Sequence, residues 1–157
     1  MLGYESERRL KNLLVAICEG ERDIEASRQR LCSIADFALH SAFQRVDRNC
    51  TANISSHEII NFLRDNACYH VQESEAFQLL QFFDCNGNNR LSYQEFIQMF
   101  LPCEDNILRN VTLDRPSRRV GRYDCLPRDI ELAMTAVIEK EIDFARRLEV
   151  LKRELQV

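Results

Sequence analysis

The stretch that decides the fold is residues 84–95, which read DCNGNNRLSYQE. Oxygen-bearing side chains stand at its first, third, fifth, ninth and twelfth positions, namely Asp84, Asn86, Asn88, Ser92 and Glu95. Apolar segments flank it: residues 75–83 predict a short helix, and residues 96–101 predict a second one that Pro102 ends. Ser92 is placed to cap the second helix. The sequence therefore predicts two helices joined by a polar loop.

A matching polar stretch lies earlier in the chain, at residues 47–58, and reads DRNCTANISSHE. It begins 37 residues before the other stretch and has ligand-capable side chains at corresponding positions. An apolar face in residues 31–46 precedes it. Ser55 is placed to cap the following helix, whose first apolar residues are Ile59 and Ile60. Two helix-loop-helix units are therefore expected in succession.

Both stretches resemble the loops of the EF-hand family, in which oxygens at positions 1, 3, 5, 7, 9 and 12 surround Ca²⁺. The resemblance covers residues 31–101 and is closest to calmodulin-like proteins, although those have four loops and this chain has one pair. In the second loop it implies ligands from Asp84, Asn86, Asn88, the Arg90 carbonyl, Ser92 and Glu95. In the first loop it implies Asp47, Asn49, Thr51, the Asn53 carbonyl, Ser55 and Glu58. It also implies a short β-bridge between Ile54 and Leu91, which occupy position 8.

Two departures from the family pattern affect the expected affinity. Position 6, where Gly normally provides a positive φ, is Ala52 in the first loop and Asn89 in the second. Asn tolerates that conformation but Ala is destabilised in it by about 1 kcal/mol or more, so the second loop is expected to be the better Ca²⁺ site. Each loop also has only two carboxylates, which predicts modest affinity. The alternatives are Mg²⁺ binding without the same opening, or loops that serve as metal-free scaffolds.

Calcium binding would draw Glu58 and Glu95 to the ion and rotate the helices that they begin, which exposes apolar surface. The residues expected to line this groove are Phe37, Phe62, Leu63, Leu79, Phe82, Phe96, Met99 and Phe100. Core packing is the alternative role for them. Only three Met occur in the chain, which favours a fixed partner or an internal helix over promiscuous binding.

Amphipathic helices are predicted at both ends, in residues 1–30 and 127–157. The first has an apolar stripe of Leu10, Leu14, Ile17, Ile24 and Leu31. This helix either breaks near Gly20 or continues unbroken, with a further continuation into residues 31–46 left open. The second follows Pro127 and has a stripe in which partner binding is assigned to Met134, Val137, Phe144, Leu148 and Leu151.

These terminal helices are expected either to fill the groove or to form a coiled coil, with each other or with a neighbouring protein. Polar Glu141 interrupts the second stripe and could set its register against a basic residue. The two helices also share residues at an offset of 120 positions, which indicates either chance or a larger repeat. Between the pair and the last helix, residues 102–126 predict an extended connector that wraps the preceding domain or is free.

Composition narrows the classes of function. The 157 residues include 21 Lys+Arg against 25 Asp+Glu, a net charge of −4 that argues against a nucleic-acid partner. Only 4 Gly and 3 Pro, with 45% hydrophobic residues, favour an all-α globular fold. The 7 Cys are odd in number and lack any Cys-x-x-Cys, so reduced thiols in the cytoplasm are expected. No apolar run is long enough to span a membrane, which takes about 20 residues.

The leading hypothesis is a non-enzymatic calcium-binding module that acts as sensor or adaptor for a partner helix. No nucleophile motif, phosphate-binding loop or dinucleotide fingerprint is present. The alternative is a structural subunit or repeat segment of a larger assembly, of cytoskeletal or ciliary type, with a weak calcium response. A third hypothesis is a fragment of a calcium-regulated enzyme. Cys68 and His70 are an isolated pair of potential metal ligands and are expected to have ordinary core and surface roles.

Overall fold

The computed structural model describes residues 3–156, and its regular elements are α-helices. They are α1 (Tyr4–Cys32), α2 (Leu39–Val46), α3 (Ser56–Asp65), α4 (Glu73–Phe83), α5 (Tyr93–Phe100), α6 (Asn106–Asp114) and α7 (Arg128–Leu155). Over the described residues β structure is limited to one isolated bridge. The predicted all-α fold, a helix-loop-helix pair between long terminal helices, is confirmed. No helix within residues 3–156 combines the length and hydropathy needed to cross a membrane.

Helices α2 to α5 form the two helix-loop-helix units, which join at the predicted bridge. Ile54 and Leu91 exchange both backbone hydrogen bonds at 2.8 Å, and both side chains are fully buried. An aromatic cluster fills the space between the units: the Phe43 and Phe96 ring centroids lie 5.5 Å apart, and those of Phe96 and Phe100 lie 4.9 Å apart. The bridge fixes the loops side by side, while the aromatic rings fix the helices around them.

Helix α1 is continuous through Gly20, so the unbroken alternative is correct. A Cβ at residue 20 would collide with the ring of Phe144 on α7, and Gly20 therefore permits a close approach of the two helices. The stripe predicted for α1 is wrong at Leu10 and Leu14, which are 38% and 54% exposed. The buried apolar face is instead Leu13, Ala16, Ile24 and Leu31. Small residues form part of the contact, and counting only large apolar side chains overlooks them.

Helix α7 packs antiparallel to α1, as three contacts along the pair show. Arg9 Nη1 donates to the Glu154 carbonyl at 3.0 Å, Arg147 lies 3.6 Å from Glu19, and Arg28 lies 2.6 Å from Glu141. The polar residue in the α7 stripe thus pairs with a basic residue, as expected, and that residue belongs to the same chain. The N-terminal half of α7 enters the core of the helix-loop-helix pair through Ile130, Met134, Val137, Ile138 and Ile142.

The prediction of an extended connector is wrong for residues 106–114, which form α6. Asp105 caps this helix by accepting the backbone N–H of Leu108 at 3.0 Å. Nine residues span only two and a half turns, which is too short for a helical period to be recognised in the sequence. Residues 115–126 contain no helix and wrap the preceding domain. There Arg115 donates three hydrogen bonds to backbone carbonyls, one at the last residue of α1 and two in the turn between α1 and α2.

Candidate metal centres

The first loop connects α2 to α3, and its opening carboxylate is held by the loop backbone. Asp47 is 6% exposed and accepts the N–H groups of the fifth and sixth loop residues at 3.2 and 2.9 Å. In the second loop, between α4 and α5, Asp84 accepts the N–H groups of the fourth and sixth residues at 3.1 and 2.7 Å. Both loops therefore fold back around their first carboxylate.

The closing carboxylates are fixed in the same way at position 12. Glu58 is 2% exposed and accepts the N–H groups of the third and ninth residues of its loop at 3.1 and 3.0 Å. Glu95 is 7% exposed and accepts those of the second and ninth residues at 2.6 and 2.9 Å. Each Glu forms a capping box with the predicted cap, Ser55 or Ser92. The first turn of each exiting helix thus carries a carboxylate back into its loop.

Three further predicted ligands of the first loop, Thr51, the Asn53 carbonyl and Ser55, each lie close to another predicted ligand. Thr51 Oγ1 donates to the Asn53 carbonyl at 2.7 Å and lies 3.4 Å from Asp47 Oδ1. Ser55 Oγ lies 3.2 Å from Glu58 Oε1. The chain therefore brings two carboxylates, two hydroxyls and a carbonyl into one loop.

In the second loop, the two central amides organise the backbone. Asn86 Oδ1 and Asn88 Oδ1 each accept an N–H group two residues further on, at 3.3 and 3.1 Å. These Asx turns are a known preference of Asn and help the loop to curve. Most of this loop is exposed, whereas Asp47 and Glu58 of the first loop are buried.

Both loops require positive φ at the fourth and sixth positions. The second loop meets this with Gly87 at 72° and Asn89 at 59°, two residue types that adopt the left-handed region readily. The first loop meets it with Cys50 at 54° and Ala52 at 63°. The strain predicted for Ala52 is therefore present in the structure, and Cys50 adds to it.

The donor set fits a hard divalent cation. The carboxylates of Asp47, Glu58 and Glu95 are buried, and no Lys or Arg within residues 3–156 forms an ion pair with them or with Asp84. Buried charges in proteins are usually paired or coordinate a metal. Carboxylate, hydroxyl, amide and carbonyl oxygens are the ligands that Ca²⁺ takes. The predicted ligand positions of the two loops could hold such an ion.

Paired helix-loop-helix units with bridged, oxygen-lined loops define a class of cation-binding domain. Residues 36–101 match the family model described as an EF-hand domain pair. This segment is an EF-hand domain pair, as its resemblance indicated, and that is a kind of domain that binds Ca²⁺. No curated protein and no solved structure matches the chain.

The apolar residues expected to line a calcium-dependent groove are mostly core residues. Seven of the eight, all except Phe82, are at most 7% exposed. Phe82 is 79% exposed and packs edge-on against Phe83 at a centroid distance of 5.0 Å. The N-terminal half of α7 lies in the same core cluster. The groove is therefore filled by a helix of the same chain, one of the arrangements that the sequence left open.

This position of α7 separates the five residues assigned to partner binding. Met134 and Val137 are fully buried in the core of this chain. The prediction that they contact an external partner is therefore wrong for this arrangement. Phe144, Leu148 and Leu151 are partly exposed on the C-terminal half. Phe144 and Leu148, with Phe82 of α4, line a groove of about 890 Å³.

A buried charge network that the sequence did not reveal anchors α7. Arg45 of α2 is fully buried, and its Nε and Nη2 lie 2.9 Å from the two carboxylate oxygens of Glu131 on α7. Nη2 also donates to Asp65 at 3.0 Å, and the guanidinium lies 4.9 Å from the Phe62 ring centroid. An Arg two positions before a loop is usually interpreted as a surface charge when only the sequence is known. Only the placement of α7 shows its role.

A second ion pair joins α7 to α1 and α5. Arg28 donates from Nη2 to Glu141 at 2.6 Å and from Nε to the Met99 carbonyl at 2.9 Å. Burial raises the pKa of Glu141, and the charge and hydrogen bond of Arg28 offset part of that rise. The second half of the groove-filling segment is thus held at a three-helix junction.

Proposed function

We propose that this chain is a calcium-binding EF-hand adaptor in which α7 occupies the apolar groove, so that calcium stabilises a closed unit. The single observation that carries the proposal is the burial of the N-terminal half of α7 in the EF-hand core. Five apolar side chains of that half are at most 2% exposed: Ile130, Met134, Val137, Ile138 and Ile142. A sensor that opened toward an external helix would first have to expose all of them.

The cost of such an exposure supports the closed adaptor. Burying a Val, Leu, Ile or Met side chain is worth about 1.5 to 3 kcal/mol, so five of them amount to roughly 7 kcal/mol or more. The buried ion pair between Glu131 and Arg45 would be broken as well. Moving a two-state equilibrium from almost closed to almost open takes about 5.5 kcal/mol of differential binding. Two loops of modest affinity are poorly suited to supplying more than that.

The second loop is proposed as the stronger calcium site. Gly87 and Asn89 supply its two positive φ values without a Cβ penalty or with a small one. In the first loop, the same conformation at Ala52 destabilises the backbone by about 1 to 2 kcal/mol. Calcium binding to the second loop therefore does not have to stabilise a strained Ala backbone.

The surface proposed for a protein partner is the groove between α4 and α7. It includes the partly exposed Phe144 and Leu148 and the exposed ring of Phe82. Leu151 follows one turn after Leu148 on the same helix. Contact of this segment with a partner helix, in coiled-coil fashion, remains a prediction. All seven cysteines are unpaired, which supports the proposed cytoplasmic location because disulfides form mainly in oxidising compartments.

The second candidate is a structural EF-hand subunit of a larger assembly, of the cytoskeletal or ciliary kind. The antiparallel pair of α1 and α7 favours it, because helices of 29 and 28 residues form a long rod-like feature beside the small domain. In that role calcium would be weakly bound or without effect.

Calorimetric titration of calcium into metal-stripped protein separates these functions. The variants are Glu95→Gln and Glu58→Gln, with exposed Glu21→Gln as the matched control. For the adaptor, Glu95→Gln removes the tighter binding heat, Glu58→Gln removes a weaker one, and Glu21→Gln behaves as wild type. An environment-sensitive dye should show no rise in apolar exposure with calcium.

Two other results would contradict the closed adaptor. A large calcium-dependent rise in dye signal, abolished in Glu95→Gln, would replace the closed adaptor by an opening sensor. The absence of binding heat at millimolar calcium would leave the structural subunit as the function.

A further inference from the structure

A cluster of metal-ligand side chains lies outside the two loops, where the α3–α4 linker meets α7. One potential ligand atom each from Cys68, His70 and Glu139 lie within 4.8 Å of one another. Cys68 Sγ is 3.8 Å from His70 Nδ1. Cys68 is 5% exposed, His70 is exposed and Glu139 is intermediate, so the cluster reaches from the core edge to solvent. Neither the family match nor the loop chemistry accounts for it.

The end of α3 explains how the chain places these side chains. The Cys68 N–H bonds to the Leu63 carbonyl at 2.9 Å and the Ala67 N–H to the Arg64 carbonyl at 3.1 Å, which is a Schellman cap. Ala67 takes the left-handed conformation at φ 60°, where Gly is usual. A residue following this cap commonly packs against the helix, which accounts for the burial of Cys68 but not for the two ligand groups beside it.

We propose that Cys68, His70 and Glu139 form a Zn²⁺ site with one open coordination position. Sulfur, imidazole nitrogen and carboxylate oxygen together suit zinc, whereas calcium and magnesium take oxygen ligands. With bond lengths of about 2.0 to 2.3 Å, ligand atoms around a tetrahedral zinc lie roughly 3.3 to 3.8 Å apart. The Cys68–His70 distance already meets this value, and Glu139, whose ligand atom lies within 4.8 Å of the other two, has a side chain that can close a gap of at most about 1 Å.

The charges at the site balance when zinc binds. The Cys68 thiol gives its proton to solvent as the sulfur–zinc bond forms, and no oxidation or reduction is involved. The thiolate and the Glu139 carboxylate then offset the two charges of the ion. Arg146 lies nearby, but its guanidinium is engaged with Glu75 and Asp143 and donates to the His70 carbonyl at 3.1 Å. That last bond also holds the backbone of one ligand against α7.

The position of the ligands gives the site a structural consequence. Cys68 and His70 belong to the linker between the two helix-loop-helix units, whereas Glu139 belongs to α7. Zinc would therefore tie the groove-filling helix to the domain that it covers. This effect is separate from calcium, which binds to oxygen donors in the loops.

The test is zinc titration of the intact 157-residue chain kept in saturating calcium, with a chromophoric zinc indicator as competitor. Saturating calcium keeps the loops filled. One zinc per chain is expected. Glu139→Gln and His70→Asn should each lower zinc affinity by more than about tenfold, the scale of loss known for disturbed zinc shells. Cys18→Ser, at an exposed cysteine, is the matched control and should leave it unchanged.

Cobalt gives a spectroscopic readout of the same ligands. Co²⁺ in place of zinc should give thiolate charge-transfer absorption that Cys68→Ser abolishes and Cys18→Ser retains. Glu139 and His70 are not core residues, so their variants keep the test valid if Cys68→Ser unfolds. Equal zinc affinity in wild type, Glu139→Gln and His70→Asn would overturn the proposal, as would binding abolished by Cys18→Ser or an absence of binding.

Discussion

At the residue scale, the positions that matter most are those where the chain lacks the residue type that its backbone favours. Ala52 and Ala67 adopt φ values of 63° and 60°, where glycine is normally used. Gly20 is the converse: it lies inside a long helix, where Ala would be the better helix former, because Phe144 occupies the space that a Cβ needs. In each case the local preference is overruled by a loop, a cap or a helix contact.

The first prediction concerns the strained loop. Ala52→Gly should raise the stability of metal-free protein by about 1 kcal/mol and strengthen calcium binding to the first loop, since the penalty for a left-handed Ala is removed. Urea unfolding in chelator and calcium calorimetry measure the two effects. Asn89→Gly is the matched control in the second loop and should change both by less. Equal effects of the two variants would show that Ala52 is not the source of the difference between loops.

The second prediction concerns the close contact of α1 and α7. Gly20→Ala should destabilise the protein, despite a propensity gain of about 1 kcal/mol, because the Phe144 ring has to move out of its place. In a Phe144→Ala background the same change should become stabilising. A double-mutant cycle by urea unfolding measures this reversal. If Gly20→Ala has the same effect in both backgrounds, the contact does not determine the choice of glycine.

At the element scale, α7 determines which apolar surface of the EF-hand pair is buried. Its N-terminal half is joined to α2 through the fully buried Arg45 and Glu131, and to α1 through Arg28 and Glu141. Breaking a buried pair by removing one partner is costly because the other charge remains without compensation.

The third prediction follows from this pair. Glu131→Gln should destabilise the protein by about 3 kcal/mol or more, since the buried Arg45 guanidinium then keeps only the exposed Asp65 as a charged partner. Glu19→Gln removes the partner of Arg147 at an exposed site and should cost less than about 1 kcal/mol. Urea unfolding of both variants provides the comparison. Similar losses in the two would contradict the anchoring role of the buried pair.

The elements of this fold differ in how far their sequences predict them. The loops from Asp47 and Asp84 were recognisable because the EF-hand pattern specifies the residue type at most loop positions, and the β-bridge followed from their alignment. Helix α6 was missed because its nine residues, about two and a half turns, are too few for a helical period to be recognised in the sequence. The register of α1 was misassigned because small residues make the contact. The sequence could not predict that Glu139 lies beside Cys68 and His70, because only the path of α7 brings these residues together.

At the scale of the whole molecule, an ion pair between α4 and α7 makes stability depend on pH. Arg146 Nη2 lies 2.7 Å from Glu75 Oε1, and this hydrogen bond lowers the pKa of Glu75 from 4.5 to about 2. Because the folded pKa lies below the unfolded one, the stabilisation is complete above about pH 4.5 and is lost as the pH falls toward 2. Buried Glu141 has the opposite sign, since burial raises its pKa and its ionisation costs stability at neutral pH.

The fourth prediction tests these signs. The stability lost in Glu75→Gln, measured by urea unfolding, should be large at pH 7 and shrink between pH 4.5 and 2. Glu141→Gln is the informative comparison. As the pH falls and the buried Glu141 carboxylate takes up a proton, the free energy of unfolding of the wild type should rise relative to that of this variant. A Glu75→Gln difference that is constant over this range would show that the Arg146 pair does not set the acid response.

The antiparallel course of α1 and α7 also determines where the chain enters and leaves the fold. The Arg9 side chain donates to the Glu154 carbonyl, so residues near the two ends of the described chain lie side by side. A unit with adjacent entry and exit points is well suited to insertion as a guest within a host protein and to circular permutation. A short flexible linker should be able to join these ends and allow new ones to be opened in the exposed stretch around Tyr123, with the EF-hand pair left intact.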